Sequence, residues 1–207
     1  MLFTLALVGC ATVGTLQRAQ TAGEDQLQVA IEPGLYGAQQ DGEVGLLPYG
    51  NVAARYGVTD ALDVGARVGF SGAELQAKWR VTPSDSPVIV AVAPNAGGLF
   101  LGEANLVTAQ VPVIVEVPVG QHALVLGPKA WMVSTGAGDA RASMLALGGS
   151  VGVALRLGPS FVVVPEYAAV RPVYGAYADV FGESGGDTVE TSFAVTHLSL
   201  SMLFGGR

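Results

Sequence analysis

The chain has 207 residues, a length that fits one domain or one closed barrel. Half of its residues are apolar and only 13% are charged, against about 25% in ordinary soluble domains. The formal net charge of -7, with Lys and Arg scattered along the chain, excludes the basic patch that nucleic-acid binding requires. No segment supplies the roughly 18 consecutive apolar residues of a transmembrane helix, and the 29 glycines disfavour long helices.

The N-terminus carries a short apolar run that ends at the chain's single cysteine. Residues 2–9 have the length of a signal-peptide core and are too short to span a bilayer, and they end in Leu7-Val8-Gly9-Cys10. This motif resembles the lipobox of bacterial lipoproteins, which implies a signal peptide over residues 1–9 and acyl chains, palmitate among them, on Cys10. The alternative is a buried cysteine in a short N-terminal strand or helix.

After the cysteine the chain divides into a polar segment and a longer patterned region. Residues 10–26 are predicted to form a lipidated N-terminal tether, and residues 27–207 the folded domain. In the folded domain apolar and polar residues alternate with period two, which is typical of strands exposed to different environments on their two faces. Ten segments of strand length follow one another: 27–36, 46–56, 61–71, 74–81, 88–97, 107–117, 122–133, 145–157, 161–171 and 191–204.

The links between these segments are alternately short and long. Short links fall at 57–60, 82–87, 118–121 and 158–160, whereas longer ones fall at 37–45, 98–106, 134–144 and 172–190; the link near Gly72 is tight where the rhythm predicts length. Short periplasmic turns and long outer loops around an even strand number are typical of outer-membrane barrels. The sequence therefore predicts an all-β fold, a closed antiparallel up-and-down transmembrane β-barrel of about ten strands, with eight as the alternative.

The polar faces of these strands carry charges of both signs, which are predicted to pair inside a narrow lumen because buried charges persist only when paired. The predicted lumen network consists of Arg55, Asp63, Arg67, Glu74, Lys78, Arg80, Glu116, Lys129, Arg156, Glu166 and His197. Aromatic residues near strand ends are predicted to form girdles at the two membrane interfaces: Tyr56, Trp79, Phe161 and Phe204 at the periplasmic side and Phe70 at the outer side. The alternative is a soluble barrel with its apolar faces inside.

Two segments resemble signatures of bacterial outer-membrane β-barrel proteins. One is the strand–turn–strand run from Tyr56 to Gly65, with its Tyr-Gly-Val-Thr-Asp turn, and the other is the last strand, in which Leu198, Leu200, Met202 and Phe204 alternate. The resemblance implies membrane lipids and the outer-membrane assembly machinery as partners. The resemblance implies no catalytic residue in this chain.

Other chemistry finds little support in the sequence. Ser150, Glu166 and His197 share lumen parity, so a Ser-His-acid hydrolase is conceivable, but a lumen hydrogen-bond network is the favoured interpretation. No cofactor and no metal site are predicted, although acids of the longest loop could hold Ca²⁺ without the EF-hand spacing.

The predicted outer loops contain eight acids and a single base, Arg141. The acids are Asp41, Glu43, Glu103, Asp139, Asp179, Glu183, Asp187 and Glu190. We expect a structural or surface-interaction role through these loops, with cationic partners favoured by their charge. The alternatives are a narrow outer-membrane channel and a soluble periplasmic lipid-anchored barrel that binds an apolar ligand.

Overall fold

The computed structural model describes residues 14–15, 17–40, 43–69, 72–101, 104–137, 140–178, 184–187 and 194–206. These residues form thirteen strands: β1 (Leu27–Gln40), β2 (Glu43–Thr59), β3 (Leu62–Gly69), β4 (Gly72–Arg80), β5 (Ile89–Val92), β6 (Asn95–Leu101), β7 (Ala104–Val119), β8 (His122–Leu126), β9 (Lys129–Ala137), β10 (Ala140–Gly158), β11 (Phe161–Ala178), β12 (Ser184–Asp187) and β13 (Ala194–Gly205). Among the described residues, no helix has the length and apolar character needed to cross a membrane.

All of these strands except β12 form the barrel wall, which has ten strand positions around its circumference. β5 and β6 both lie between β4 and β7 and are separated at Pro94, whereas β8 and β9 both lie between β7 and β10 and are separated at Pro128. Proline interrupts a strand because it has no N–H for the ladder. Among the described residues, β12 pairs with the far end of β11 alone. The predicted number of ten strands is therefore confirmed.

The sheet closes on itself through its first and last strands. β1 pairs antiparallel with β2 on one side and with β13 on the other, where Gln28 lies opposite Gly205 and Gln39 opposite Ala194. Closure leaves no strand edge with unpaired backbone groups in the barrel wall, which is the condition for placing a sheet in lipid. The predicted closed antiparallel barrel is thus confirmed.

The strands connect at two opposite ends of the barrel. Short turns join β2 to β3 and β10 to β11 at what we name the short-turn end. The opposite end has the links that the sequence predicts to be long, and we name it the long-loop end. Three predicted long loops prove to be largely strand, because β1 continues to Gln40 and the β6–β7 and β9–β10 ladders continue to Leu101–Ala104 and Ala137–Ala140. Backbone hydrogen bonds between strands do not require alternating side chains. The strands therefore extend beyond the segments in which polar and apolar residues alternate.

The two faces of the wall carry opposite chemistry. On β3, Val64 and Val68 point outward and are exposed, whereas Asp63 and Arg67 point inward and are each about 1% exposed. The same division holds on β4, where Trp79 is 60% exposed and Lys78 is buried. A soluble barrel for an apolar ligand would have the reverse arrangement, with apolar residues inside, so the observed faces favour lipid on the outside.

Inward apolar residues form two clusters along the barrel axis. The cluster near the short-turn end combines seven alanines with six larger apolar residues, namely Ile89, Ile114, Val125, Val162, Val164 and Leu203. The cluster nearer the long-loop end is aromatic and bulky and contains Tyr36, Tyr49, Leu106 and Trp131. The alanine side chains leave room inside the short-turn half of the described lumen.

Candidate functional site: the charged lumen and its plug

The hairpin of β3 and β4 contains two ion pairs, and the two partners of each pair lie directly opposite each other on the two strands. Its register sets Arg67 opposite Glu74 and Asp63 opposite Lys78. The Arg67 Nη1 atom lies 2.9 Å from Glu74 Oε2, and Lys78 Nζ lies 3.0 Å from Asp63 Oδ2. All four side chains are buried, so each pair offsets part of the cost of removing its charges from water.

Glu32 of β1 joins this hairpin to a second arginine. Its carboxylate lies 2.7 Å from Arg67 Nε and 3.5 Å from Arg55 Nη2, and its side chain is completely buried. Arg55 also donates from Nε to Gln76 Oε1 at 3.2 Å. One carboxylate thus separates two guanidinium groups that would otherwise repel each other in a site of low dielectric constant.

The short-turn half of the lumen is occupied by the chain's own N-terminal segment. We name residues 14–23 the plug; residue 16 within it lies outside the described residues. Gly14 packs against the ring of His197, because a Cβ added at position 14 would overlap that ring. At its other end the plug meets the barrel rim, where a Cβ added at Gly57 would overlap the carbonyl of Gly23. Residues 24–26 are exposed and connect the plug to β1.

Glu116 of β7 is the main wall contact of the plug. Its carboxylate forms an ion pair with the Arg18 guanidinium and accepts hydrogen bonds from the backbone N–H groups of Ala19 at 3.0 Å and Gln20 at 3.4 Å. Charge-assisted hydrogen bonds of this kind are about twice as strong as neutral ones. Glu116 is fully buried, so its charge depends on these partners.

Two other lumen charges bind the plug at residues that follow Arg18. Asp63 accepts from the Ala22 N–H at 3.1 Å, and Lys78 Nζ donates to the Gln20 carbonyl at 2.6 Å.

Deeper in the lumen, Glu166 Oε1 accepts from the Thr15 N–H at 2.6 Å. The Thr15 Oγ1 atom lies 2.9 Å from Ser150 Oγ and accepts from Lys129 Nζ at 3.3 Å. The wall therefore binds both the backbone and the side chains of the plug.

The charges of the lumen come from both the wall and the plug. The buried charged side chains of the described wall are five acids and four bases, namely Glu32, Asp63, Glu74, Glu116 and Glu166 against Arg55, Arg67, Lys78 and Lys129. Arg18, the single charged residue of the plug, and Arg80 at the rim are partly buried and add two further bases. Acids and bases are therefore close to balance in the described lumen.

Two of the predicted lumen residues lie at the rim instead. Arg80 is partly buried at the short-turn end, where its Nη1 donates to Gln20 Oε1 at 2.9 Å and to Thr21 Oγ1 at 3.2 Å. Arg156 is exposed. Its inward parity is as predicted, since it lies opposite the buried Val162, but β10 reaches the mouth of the barrel at this point. Arg156 and Arg80 line one open cavity of about 350 Å³ there.

The three residues considered for hydrolysis do not assemble as a catalytic triad in the described part of the chain. His197 is buried, yet neither of its ring nitrogens has a hydrogen-bond partner there. Its ring stacks on Tyr36 and lies tilted against Tyr49, in both cases at a centroid distance of 4.7 Å. Ser150 and Glu166 instead bind Thr15 of the plug. This geometry is that of a packed lumen.

The predicted periplasmic girdle residues lie together at the short-turn end. Phe161 and Phe204 occupy opposite positions on β11 and β13, and their rings stack with centroids 4.9 Å apart. Tyr56 and Trp79 are exposed on the outer surface, and Tyr56 Oη donates to Asp25 Oδ1 at 2.6 Å. Phe70, predicted for the opposite girdle, lies outside the described residues, as does Cys10.

Sequence reasoning missed two members of the lumen network. Glu32 shares the inward parity of Gln28 and Ala30 on β1, so the alternation could have identified it had Pro33 not weakened the pattern. Arg18 carried no such signal, since it lies in a polar segment without periodicity. Within the described residues, no three His, Cys, Asp or Glu side chains form a group that could hold a metal ion.

Known structures with a similar fold come from the bacterial outer membrane. An outer-membrane channel from Pseudomonas putida F1 matches with a TM-score of 0.50 at 11% sequence identity, over 90% of this chain and 97% of that chain. The fold is that of a bacterial outer-membrane β-barrel.

Two further structures are similar at lower TM-scores. Neisserial surface protein A matches with a TM-score of 0.43 at 11% identity, over 86% of this chain and 96% of that one. The translocator domain of the autotransporter NalP from Neisseria meningitidis matches with a TM-score of 0.45 at 12% identity, over 86% and 88% of the two chains. No protein-family model matches the sequence, and no curated protein is significantly similar to it. Identities this low establish the fold alone, so function has to be argued from the residues.

Proposed function

We propose that this chain is a closed barrel of the bacterial outer membrane that acts at the cell surface and does not conduct through its lumen at rest. The filled lumen is the observation that carries the proposal. The short-turn half contains the plug with its salt bridge to Glu116, and the other half contains buried Trp131, Tyr36 and Leu106. Small barrels have interiors that side chains can fill, and here a peptide segment adds to them.

Recording from the purified chain in planar lipid bilayers tests the closed state. We expect no steady conductance from the full chain after insertion, because charged and aromatic side chains fill both halves of the lumen. A steady single-channel current at low voltage would instead favour the second candidate function, a narrow outer-membrane channel. One observation supports that candidate: part of the lumen is filled by a peptide segment and not by side chains of the wall.

The surface role is assigned to the acidic loops at the long-loop end, whose side chains lie outside the described residues. By the usual orientation of such barrels this end faces the exterior. An excess of acids there favours cationic partners and divalent cations bridging to anionic lipopolysaccharide.

Binding of a fluorescent oligolysine to intact cells tests the surface role. It should weaken at least fivefold when Asp179, Glu183, Asp187 and Glu190 are replaced by their amides. Unchanged binding at low salt would count against a surface role for these acids.

A lipid anchor on Cys10 is the second part of the proposal. It rests on the lipobox-like motif at residues 7–10, and two or three acyl chains would give a stable anchor. Metabolic labelling with an alkyne analogue of palmitate should label the wild-type chain and leave the Cys10→Ala variant unlabelled.

The same variant separates a spanning barrel from a soluble one that is held by its lipid. Cys10→Ala should still require detergent for extraction, because the apolar outer face remains. Release of Cys10→Ala by alkaline carbonate would contradict a spanning barrel and support the soluble alternative.

A further inference from the structure

Two arginines interrupt the apolar outer face of the barrel wall. Arg171 of β11 lies opposite Leu147 of β10, and Leu147 is 51% exposed on the outside. Residues that lie directly opposite each other in a sheet point to the same face, so Arg171 also points outward, where it is exposed. Arg141 lies three outward positions farther along β10, toward the long-loop end, and is exposed as well.

Neither arginine has an acidic partner in the described wall. The acids of the wall strands whose side chains the structure describes all point into the lumen and are buried. The five ion pairs of the described residues include neither Arg141 nor Arg171. A counter-ion for Arg171 therefore has to come from outside the described wall, either from a loop acid or from the surrounding lipid.

The height of Arg171 on the barrel favours lipid. Ten residue positions along β11 separate it from Phe161, which belongs to the aromatic girdle at the short-turn end. With the usual rise and tilt of barrel strands this is a height of about 25 Å, the height of the apolar band of an outer-membrane barrel. Arg171 thus lies at the edge of the band that is nearer the long-loop end.

The outer surface changes from apolar to polar at the same level. Leu145 of β10 and Met132 of β9 lie opposite each other and are exposed. The next outward pair toward the long-loop end is Ser143 and Ser134, whose hydroxyl groups are hydrogen-bonded at 3.1 Å. A change of this kind is expected where the hydrocarbon of a membrane meets its headgroups.

A β-bulge sets the side chains around Arg171. The pairing of β10 with β11 shifts between Leu145 and Ala146, so that Leu145 lies opposite Tyr174 and Ala146 opposite Pro172. The extra residue keeps Tyr174 on the outer face, where it is 54% exposed, whereas uninterrupted alternation would turn it toward the lumen. The bulge therefore places an aromatic ring close to a guanidinium group, and tyrosine is enriched at membrane interfaces.

We propose that Arg171, with Arg141 as a second contact, binds a phosphate group of lipopolysaccharide in the outer leaflet. A guanidinium group matches a phosphate through two parallel hydrogen bonds. An arginine on the lipid face costs little near the interface and much more at the bilayer midplane, and its long side chain can extend to the level of the headgroups. This site rests on the proposed function in one respect, namely that the long-loop end faces the exterior.

Direct binding by arginine differs from the bridging by divalent cations that the acidic loops favour. A carboxylate needs a cation between itself and a phosphate, whereas a guanidinium group needs none. Removal of divalent cations with a chelator therefore isolates the contribution of the two arginines.

Native mass spectrometry of the full chain in detergent, titrated with lipid A in the presence of EDTA, measures this contribution. Lipid A from which the phosphate groups have been removed is the reference ligand. We expect the wild-type chain to bind the phosphorylated lipid at least tenfold more tightly, because the acyl chains and sugars of the two ligands are the same and charge-assisted hydrogen bonds are lost with the phosphate.

Substitutions at the arginines should reduce this preference to different degrees. Arg171→Gln should lower it to less than twofold, and Arg171→Lys should retain part of it because lysine keeps the charge and loses the planar fork. Arg141→Gln should reduce it by about threefold, since Arg141 lies beyond the apolar band. Arg156→Gln is the matched control: it removes an exposed arginine at the short-turn end and should change the preference by less than twofold.

The measurements use protein that circular dichroism shows to be folded. The site is refuted if Arg171→Gln keeps the wild-type preference, as it would with a loop acid as the partner of Arg171. It is also refuted if Arg156→Gln loses the preference equally, or if EDTA abolishes the preference of the wild-type chain. Release of the Cys10→Ala barrel by alkaline carbonate would instead contradict the proposed function, because a barrel outside the membrane has no lipid-facing site.

Discussion

Glu32 illustrates how much of the barrel interior depends on single charges. Its carboxylate is fully buried between Arg67 at 2.7 Å and Arg55 at 3.5 Å. Removal of one partner of a buried ion pair costs about 3–5 kcal/mol, since it leaves an uncompensated charge. Here the loss would leave two guanidinium groups facing each other.

The first prediction follows from this arrangement. Glu32→Gln should lower the free energy of unfolding in lipid vesicles by about 3–5 kcal/mol, measured by urea denaturation followed by tryptophan fluorescence. Asp85→Asn, at an exposed turn position, is the control and should change it by less than about 0.5 kcal/mol. A loss below about 1 kcal/mol in Glu32→Gln would show that the network adds little to stability.

The two histidines allow a second test at this scale. His197 packs against the rings of Tyr36 and Tyr49 in the lumen, whereas His122 lies at the β7–β8 turn. His197→Ala should lower the free energy of unfolding by about 2–4 kcal/mol, in the range of aromatic truncations in a core, and His122→Ala should have little effect. Loss of a measurable esterase or protease activity in His197→Ala would contradict a purely structural histidine.

At the scale of the elements, the pairing of β1 with β2 includes a glycine of β1 that is covered by an aromatic ring of β2. Gly34 lies opposite Tyr49, and a Cβ added at position 34 would overlap that ring. Pro33 and Gly50 form the neighbouring pair, where a Cβ on Gly50 would meet no atom within 4 Å. The ring of Tyr49 thus fills space that the glycine leaves open.

The third prediction compares these two glycines. Gly34→Ala should destabilise the barrel by about 1–3 kcal/mol, as overpacking does, because Tyr49 must move within a packed cluster. Gly50→Ala should be neutral or slightly stabilising in the same urea titration. Equal effects of the two substitutions would mean that the ring of Tyr49 adapts without cost.

The sequence alone could predict the ten strands of the barrel and part of its lumen, as the β3–β4 hairpin shows. The tight β3–β4 link fixes the hairpin register, and Arg67–Glu74 and Asp63–Lys78 follow from it. Alternation also placed Glu116 and Glu166 on the inner face. Distant strands meet through barrel closure and tilt, which no local pattern encodes, so the contact of Glu32 with Arg67 was not foreseen.

The plug was beyond prediction for a related reason. Its polar composition is typical of a tether, and its hydrogen-bond partners follow it by 39 to 151 positions. Its contacts through backbone N–H groups, such as those of Thr15 and Ala19, leave no pattern in the side chains. A count of the predicted lumen charges would not have revealed the plug either, because that set has six bases against four acids.

At the scale of the whole molecule, the function proposed for this barrel depends on which face of the wall meets lipid. The interior has paired charges, a seated plug and an aromatic cluster, and the exterior has exposed apolar side chains from every part of the wall. The two tryptophans divide between these surfaces: Trp79 is 60% exposed on the outside, and Trp131 is fully buried in the lumen. They are the only tryptophans in the chain.

Quenching of these tryptophans by brominated phospholipids is the most direct test. In vesicles of such lipids, the Trp131→Phe variant, which retains Trp79, should lose most of its fluorescence, because its indole lies at the lipid interface. The Trp79→Phe variant, which retains Trp131, should be quenched only weakly by the lipids and by aqueous acrylamide. Strong lipid quenching of Trp131 together with acrylamide quenching of Trp79 would contradict a barrel with its apolar face in the membrane.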